Sequence, residues 1–372
     1  MMLHYLGRLI AWLTPVHREK WAQAMQAEIS AFDNRTDAMK FALGCLIACC
    51  RFQLEVKIST GRNWSKILKD RFTISAIFCG VTACLIGLAY LFLSGAPVTM
   101  VAVNTAAMLL GVCLAVALIL SVPVTPGFLN AIALFGSLGL LGTATLGYAI
   151  EGATRWVLVG PFFVQTSLIL LPLIALGFAR IQNVWTTMSI VLASLAMAIQ
   201  PDRAMAAMLF AAVAVICWIR PGKLTFGAAF ICASGFLVTL LLPDRLSAVP
   251  FVDHILWTAF DVSTMTGLAL WIGCLALIGP IFCVPPNERT VVHYTFAACW
   301  MTLIAAAAMG AYPTPVVGYG ASAIIGYFLS LVFLQPARQS CSERKASAPN
   351  MSDTGTEDSS FQRNNPSFAV IS

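Results

Sequence analysis

The sequence predicts an all-α, polytopic membrane helix bundle with about ten transmembrane helices, and three observations support this fold class. Of the 372 residues, 59% are hydrophobic and the mean hydropathy is +0.85. Only 10% are charged, whereas a soluble domain carries about 25%. The charge is also segregated, since residues 1–71 hold 11 of the 22 Lys and Arg residues and residues 72–334 hold 7. These features exclude a soluble globular enzyme, and no nucleic-acid partner is expected.

The apolar segments are long enough to cross a bilayer. A helix needs about 20 apolar residues to span the hydrocarbon core. On that basis the sequence predicts ten spans, at 72–94, 99–121, 128–149, 161–179, 185–201, 204–219, 224–242, 255–283, 292–312 and 315–334.

The distribution of Lys and Arg predicts the orientation. Five basic residues crowd the approach to the first span, namely Lys57, Arg62, Lys66, Lys69 and Arg71. Cytoplasmic loops carry the excess of positive charge, so the N-terminus is predicted to be cytoplasmic. An even number of spans returns the C-terminus to the same side.

Two terminal regions differ from the spans. In residues 1–71, Trp21, Met25, Ile29 and Phe32 recur at helical spacing and predict an amphipathic helix. We interpret this region as a cytoplasmic or interfacial helical unit, either half-buried in lipid or packed on the bundle. Residues 335–372 are rich in Ser, Asn and charge and are predicted to form a disordered cytoplasmic tail.

The twelve cysteines do not predict a metal site. Most of them lie inside apolar runs, where cysteine behaves as a small hydrophobe. No CxxC pair and no Cys/His cluster occurs in the sequence. We expect packing roles for these residues, including Cys45, Cys49 and Cys50.

Several charges fall at the non-cytoplasmic ends of the predicted spans. They are Glu151, Arg155, Asp202, Arg203, Asp244, Arg245 and Asp253. We predict that Glu151 and Asp244 are solvated loop charges. A charge inside the membrane is costly and often marks function, and these residues avoid that cost because they lie at span ends. Together they predict an external rim of mixed charge.

Asp261 lies inside the predicted span that begins near Ile255. On a continuous helix it would lie roughly 12 Å deeper than Asp253 at about 1.5 Å per residue, with the two side chains roughly 80° apart. Both carboxylates would then line one cavity. A neutral aspartate that packs between helices is the alternative, and the sequence leaves both open.

Proline and glycine interrupt three segments near span ends. They are "GPFFVQTS" (160–167), Gln200-Pro201 and "TPVVGYGAS" (314–322). Irregular backbone at membrane depth is tolerated where it is buried in protein or lines a wet cavity. The three segments therefore predict a lined cleft.

These segments resemble motifs of one family. "ATRWVLVGPFFVQTS" is similar to RRW-x-x-LGP-x-x-FQPSE, and "QPDRAMA" is similar to QPDLGTA. "PTPVVGYGASAIIGYFLSLVFL" resembles LPFxSYGGSS followed by an apolar span, and "VDHILWTAFDVSTMTG" resembles HTDFIFAVxxEELGxxG without gaps. The family is SEDS (shape, elongation, division and sporulation), the FtsW/RodA-type membrane glycosyltransferases. The four motifs occur in the family's order and cover about residues 72–334.

The resemblance implies a function. SEDS proteins polymerise lipid II into glycan strands at the outer face of the bacterial cytoplasmic membrane, usually with a class B penicillin-binding protein. It implies that Asp253 is the catalytic base. Seven further positions are expected to bind the substrate, a lipid-linked sugar: Arg155, Gln165, Asp202, Arg203, Asp261, Tyr319 and Ser322. No cofactor is expected, although the activity could use a divalent cation.

The sequence also departs from the family pattern. Thr166, Leu168 and Leu171 replace a proline, a glutamate and a lysine. The outer loop before Ile255 is only about a dozen residues, whereas in the family it is long. Two alternatives therefore remain open: a non-catalytic paralogue that acts as an envelope scaffold or regulator, and a transporter or flippase of a lipid-linked sugar.

Overall fold

A computed structural model describes residues 71–242 and 246–334, together with residue 14, residues 19–32 and scattered positions between 34 and 48. The predicted tail at 335–372, most of residues 1–71, and Asp244, Arg245, Cys49 and Cys50 lie outside the described residues. Predictions on those positions stay predictions.

The described residues form mainly helices. The first, α1, is Glu19–Ala31. The others are α2 (Arg71–Leu93), α3 (Val98–Ser121), α4 (Pro126–Leu146), α5 (Thr166–Arg180), α6 (Val184–Ile199), α7 (Arg203–Ile219), α8 (Lys223–Leu241), α9 (Ile255–Val262), α10 (Thr264–Ala276), α11 (Val291–Met309) and α12 (Ala321–Ser330). Short 3-10 turns follow α10 at Gly279–Cys283 and Pro286–Glu288, and Leu331–Leu334 extends α12.

Five of these helices are long and apolar enough to cross a membrane: α2, α3, α4, α8 and α11. Five shorter apolar segments accompany them: α5, α6, α7, α10 and α12 with its 3-10 extension. Each of the ten predicted spans contains one of these helices. The predicted polytopic membrane helix bundle is confirmed.

The prediction of one continuous span at 255–283 is wrong. The chain breaks at Ser263, which is extended and whose hydroxyl accepts the backbone N–H of Thr266, capping α10. The indole N–H of Trp271 donates to the carbonyl of Leu256 at 3.0 Å. A straight helix would separate positions 256 and 271 by roughly 22 Å. Helices α9 and α10 therefore fold back on each other as a helical hairpin.

A three-stranded antiparallel sheet interrupts the helices after α4. Its strands are β1 (Tyr148–Ile150), β2 (Ala153–Val159) and β3 (Phe162–Gln165). The span predicted at 161–179 therefore begins as a strand and becomes helical only at Thr166. The signal was present in the sequence, because two runs rich in β-branched and aromatic residues flank the two-residue turn Gly160-Pro161.

Alternating helix directions bring the loops of interest to one end of the bundle. Helices α4, α6, α8 and α11 end there, and α5, α7 and α12 begin there. We call it the site end. The basic residues Arg180, Arg220, Lys223 and Arg289 lie at helix ends that point the opposite way. Given the positive-inside rule, this predicts that the site end faces away from the cytoplasm.

Glycines allow close packing beneath the site end. A methyl group on Gly87 of α2 would overlap the carbonyl oxygen of Val317, and one on Gly326 of α12 would overlap the carbonyl oxygen of Leu168. The buried Tyr327 adds polar contacts, since its hydroxyl donates to the carbonyl of Ala76 at 3.0 Å. Helix α2 thus packs directly against the backbone of Val317, in the irregular segment that precedes α12.

Three of the four residues that predict an amphipathic helix near the N-terminus, Trp21, Met25 and Ile29, lie in α1, whereas Phe32 follows the helix and is 38% exposed. Ile29 is buried with Ala42 and Cys45, and Trp21 and Met25 pack against this small cluster. Whether this region lies on the membrane surface stays a prediction.

Candidate active site at one end of the bundle

Two irregular segments meet at the site end. The first is residues 246–254, which we call the Asp253 loop, and the second is residues 310–320. The backbone N–H of Thr314 donates to the carbonyl of Val252 at 3.0 Å, and that of Tyr319 donates to the carbonyl of Phe251 at 2.8 Å. Asp253 also pairs with Pro313 in an isolated antiparallel bridge. The two segments therefore hold each other in register.

Asp253 is half-buried in its loop. Its carboxylate oxygen Oδ2 accepts the backbone N–H of Val249 at 2.8 Å. Burial raises the pKa of Asp253 above the ordinary aspartate value, and the N–H of Val249 and the charge of His254 partly offset this rise. A carboxylate with a raised pKa is a better proton acceptor, so the local environment suits the predicted base.

Backbone strain is concentrated in these segments. Phe251, His254 and Val316 adopt left-handed conformations, with φ of 64°, 57° and 68°. Such conformations cost of order 1–3 kcal/mol each and persist where the surroundings enforce them, often at functional sites. The packing of the two segments is what enforces them here.

Asn104 is a site residue that the sequence reasoning missed. It lies on α3 and is 2% exposed. Its amide nitrogen donates to the carbonyl of Gly318 at 2.9 Å, and its oxygen accepts the N–H of Gly320 at 3.1 Å. The side chain therefore clamps the backbone on both sides of Tyr319. An asparagine near the start of an otherwise apolar span was the available signal.

Four of the predicted substrate-binding residues form one buried network. Gln165 donates from Nε2 to Oδ2 of Asp202 at 3.2 Å, and its backbone N–H donates to the hydroxyl of Ser322 at 3.0 Å. Arg155 lies 3.9 Å from the same carboxylate oxygen and donates to the carbonyl of Pro201 at 2.6 Å. The exposed fractions are 3% for Arg155 and 1% for Asp202.

This network has a structural consequence at the turn between α6 and α7. Asp202 caps α7 by accepting the N–H of Met205 at 3.3 Å, and Arg155 satisfies the carbonyls at the end of α6, including that of Gln200. The "QPDR" turn is thus fixed from β2 and β3. The grouping of the four residues is as predicted, but their polar atoms face one another, so substrate binding by them stays a prediction.

A small cavity lies between this network and Pro313, the neighbour of Asp253. Its lining includes Gln165, Asp202, Tyr312 and Pro313, and Pro313 is the bridge partner of Asp253. The cavity volume is about 10 Å³, which is enough for about one water molecule. Binding sites for drug-sized ligands occupy about 300–1,000 Å³. This cavity is therefore too small to hold a sugar.

The remaining predicted site residues lie apart from this network. Arg203 donates to the carbonyls of Thr239 and Leu242, at 3.0 and 2.5 Å, and so caps the end of α8. Tyr319 contributes its backbone to the junction of the two segments and is partly exposed.

The expectation that Asp253 and Asp261 share one helix is wrong. Asp253 precedes α9, because His254 is left-handed and the helix begins at Ile255. Asp261 is exposed and lies at the far end of α9, beside the turn of the helical hairpin. The depth and angle calculated for a continuous helix therefore do not apply. A substrate-binding role for Asp261 stays a prediction.

Glu151 is exposed, as predicted, but it is not simply solvated. Its carboxylate accepts the backbone N–H of Ser247 at 2.8 Å and the hydroxyl of Ser247 at 3.2 Å. The sheet thereby contacts the Asp253 loop.

Within the residues that the structure describes, no group of three or more His, Cys, Asp or Glu side chains is placed to hold a metal ion. The acidic residues of the site end, Asp202 and Asp253, lie on different segments, and Asp202 is already engaged by Arg155 and Gln165. The donor set described here does not fit a metal site.

Comparison with solved structures shows which fold this is. The chain is similar to an aspartate-to-alanine mutant of the rod shape determining protein RodA from Thermus thermophilus, at 17% identity and a TM-score of 0.50. The match covers 70% of this chain and 95% of that chain. No family model and no curated protein matches the sequence.

A second similar structure is a chain of a peptidoglycan synthase complex, described by its coordination of polymerization and crosslinking. The identity is 19%, the TM-score is 0.50, and the match covers 70% of this chain and 96% of that chain. At this identity the likeness establishes the fold. The predicted multi-pass membrane helix bundle is therefore confirmed, with a fold like that of RodA.

Proposed function

We propose that this protein takes part in peptidoglycan synthesis in the bacterial cytoplasmic membrane and polymerises a lipid-linked sugar by glycosyl transfer, with Asp253 as general base. The observation that carries the proposal is the position of Asp253. It lies half-buried at the site end, on a loop of a RodA-like bundle, and its bridge partner Pro313 lines a cavity together with Gln165 and Asp202 of the predicted motifs.

The chemistry requires one proton acceptor and one leaving group. The 4-hydroxyl of the acceptor sugar attacks the anomeric carbon of the donor, the new glycosidic bond forms, and the bond to the pyrophosphate oxygen breaks. The pyrophosphate departs with the electron pair, and the hydroxyl proton passes to the carboxylate of Asp253. General-base catalysis of this kind contributes about 10²–10⁴-fold. No step of the proposal uses a metal ion.

The proposed substrate is lipid II or another undecaprenyl-linked sugar. The sugar of a lipid-linked substrate lies at the membrane surface. Asp253 lies at the site end of the bundle, where such a sugar can reach it. The proposed partner is a class B penicillin-binding protein, because one of the similar structures is a synthase complex that coordinates polymerization with crosslinking.

The test is the appearance of polymer. Purified full-length protein in detergent or nanodiscs is incubated with labelled lipid II, with and without a class B penicillin-binding protein from the same cell. We expect glycan chains with the wild-type protein and none with Asp253→Ala. Glu288→Ala is the matched control, because it removes an exposed carboxylate in the 3-10 turn before α11, outside the predicted site. Equal polymer from wild type and Asp253→Ala contradicts the proposal.

A second candidate function is a non-catalytic scaffold or regulator of the same process. The observation that favours it is the packing of Arg155, Gln165 and Asp202 against one another around a cavity that holds about one water molecule. A scaffold needs this rigidity and no open site. It predicts that Asp253→Ala restores growth and cell shape in a deletion strain, whereas Asp202→Ala, which weakens the bundle, does not.

A further inference from the structure

Glu151 occupies the tip of the sheet next to the candidate site. It lies in the turn between β1 and β2 with φ of 49°, and Gly152 follows with φ of 85°. This tight left-handed turn directs the chain back into β2, whose partner β3 ends at Gln165 in the buried network. The tip is therefore held by a rigid element although Glu151 itself is exposed.

The carboxylate of Glu151 contacts a residue 96 positions later in the chain. Oε2 accepts the backbone N–H of Ser247 at 2.8 Å and lies 3.3 Å from its hydroxyl, and Oε1 lies 3.2 Å from the same hydroxyl. Hydrogen bonds to an ionised group are roughly twice as strong as neutral ones. Both donors of one loop residue thus converge on one carboxylate.

Ser247 stands close to the groups that hold Asp253. Two residues later, the N–H of Val249 donates to Oδ2 of Asp253, and the N–H of Asp253 donates to the carbonyl of Val249 at 3.0 Å. The second half of the loop is tied to the 310–320 segment through Phe251 and Val252. Glu151 ties the first half to the sheet.

We propose that Glu151 is a positioning residue for Asp253, because its carboxylate anchors the start of the Asp253 loop and thereby places the Val249 N–H against the catalytic carboxylate. The catalytic role of Asp253 rests on the proposed function. The anchoring of the loop by Glu151 does not depend on that role. Loss of the anchor frees Ser247, so that only hydrogen bonds within the loop then hold the Val249 N–H against the carboxylate of Asp253.

The first measurement is amide hydrogen exchange of the full-length protein in nanodiscs. In Glu151→Ala, a peptide covering residues 246–254 should exchange about ten-fold faster or more, since a hydrogen bond to a charged group is lost. Glu151→Gln keeps one acceptor oxygen and should exchange at an intermediate rate. Glu288 is an exposed acid in the 3-10 turn between α10 and α11. The exchange rate of the same peptide in Glu288→Ala should therefore match that of the wild type. Unchanged exchange in Glu151→Ala overturns the proposal.

The second measurement is kinetic and separates positioning from binding. In Glu151→Ala, kcat for lipid II polymerisation should fall with KM unchanged, and the acid limb of the pH profile should move to higher pH, because the Val249 N–H no longer lowers the pKa of Asp253. In Glu151→Gln, kcat and the position of the acid limb should both lie between those of Glu151→Ala and the wild type. Wild-type kcat and an unmoved acid limb in Glu151→Ala count against positioning.

The two proposals fail in different ways. If exchange rises in Glu151→Ala while the wild-type protein forms no polymer, the anchor stands and the proposed function falls. If the wild-type protein polymerises lipid II and Glu151→Ala leaves both exchange and rate unchanged, the proposed function stands and the anchor falls.

Discussion

Asp253 and Pro313 pair across an antiparallel bridge, and Pro313 also lines the cavity formed with Gln165 and Asp202. One residue thus lies between the proposed base and the buried network. Movement of the 310–320 segment would change the surroundings of both at once.

The charge of His254 should contribute to the pH dependence of the reaction. Burial raises the pKa of Asp253, and His254 lowers it. The base acts when ionised, so activity is lost as pH falls through this pKa. His254→Asn removes the charge while tolerating the left-handed backbone, and it should move the acid limb to higher pH. His254→Lys, which keeps a positive charge, should leave the limb near its wild-type position. A pH–rate profile of each variant is the measurement, and identical limbs for Asn and Lys would refute the electrostatic role.

Asp202 should matter for stability more than any exposed acid. Asp202→Ala leaves the buried guanidinium of Arg155 without its carboxylate and removes the cap of α7. Breaking a buried ion pair costs about 3–5 kcal/mol. We expect a clear fall in the thermal unfolding temperature in detergent. Asp261→Ala serves as the control, with a change within about 0.5 kcal/mol because that residue is exposed. Equal unfolding temperatures would show that the network does not stabilise the bundle.

The membrane bundle and the motif residues were predictable from the sequence, and the break at Ser263 was not. Composition and apolar segments identify spans, because burial in lipid demands apolar side chains wherever the chain crosses. Hydropathy does not distinguish a straight helix from one that turns back, so it predicts α9 and α10 as one span. The sheet was only partly predictable, because the strands at 148–165 are as apolar as a span, although runs of β-branched and aromatic residues flank their turn.

The site was predictable only as a set of residues. The motifs identified Arg155, Gln165, Asp202 and Ser322, which the structure brings together. The pairing of these groups with one another depends on helix and strand packing, and no spacing in the sequence shows it. Asn104 and Glu151 were missed as contacts because their partners lie 214 and 96 residues away.

Asn104 should be required for the order of the 310–320 segment. Asn104→Ala leaves the carbonyl of Gly318 and the N–H of Gly320 without their partner, at a cost of about 1–3 kcal/mol for each buried group left unsatisfied. Thr105→Ala is the control, since the hydroxyl of Thr105 bonds within its own helix, to Val101. We expect faster amide exchange over residues 314–320 and a lower unfolding temperature in Asn104→Ala alone. If both variants behave alike, Asn104 is not a clamp.

Gly87 of α2 packs so closely against the backbone of Val317 that an added methyl group should destabilise the protein. Gly87→Ala places a Cβ against the Val317 carbonyl, and backbone there has little room to shift. Overpacking of this kind costs about 1–3 kcal/mol. Gly127→Ala in α4 meets no atom within 4 Å, so it should be neutral or slightly stabilising. Unfolding temperatures of the two variants decide the point, and a stable Gly87→Ala would show that the loop lies farther from α2.

The most direct test of Asp253 as general base compares turnover and binding in Asp253→Asn. Asparagine keeps the shape and an acceptor for the Val249 N–H but takes up no proton. Because burial raises the pKa of Asp253, its ionised form disfavours folding at neutral pH, so the variant should be at least as stable as the wild type. We predict that its rate of lipid II polymerisation falls about 100-fold or more, while its affinity for lipid II is unchanged. A folded Asp253→Asn variant that polymerises at the wild-type rate would contradict the account.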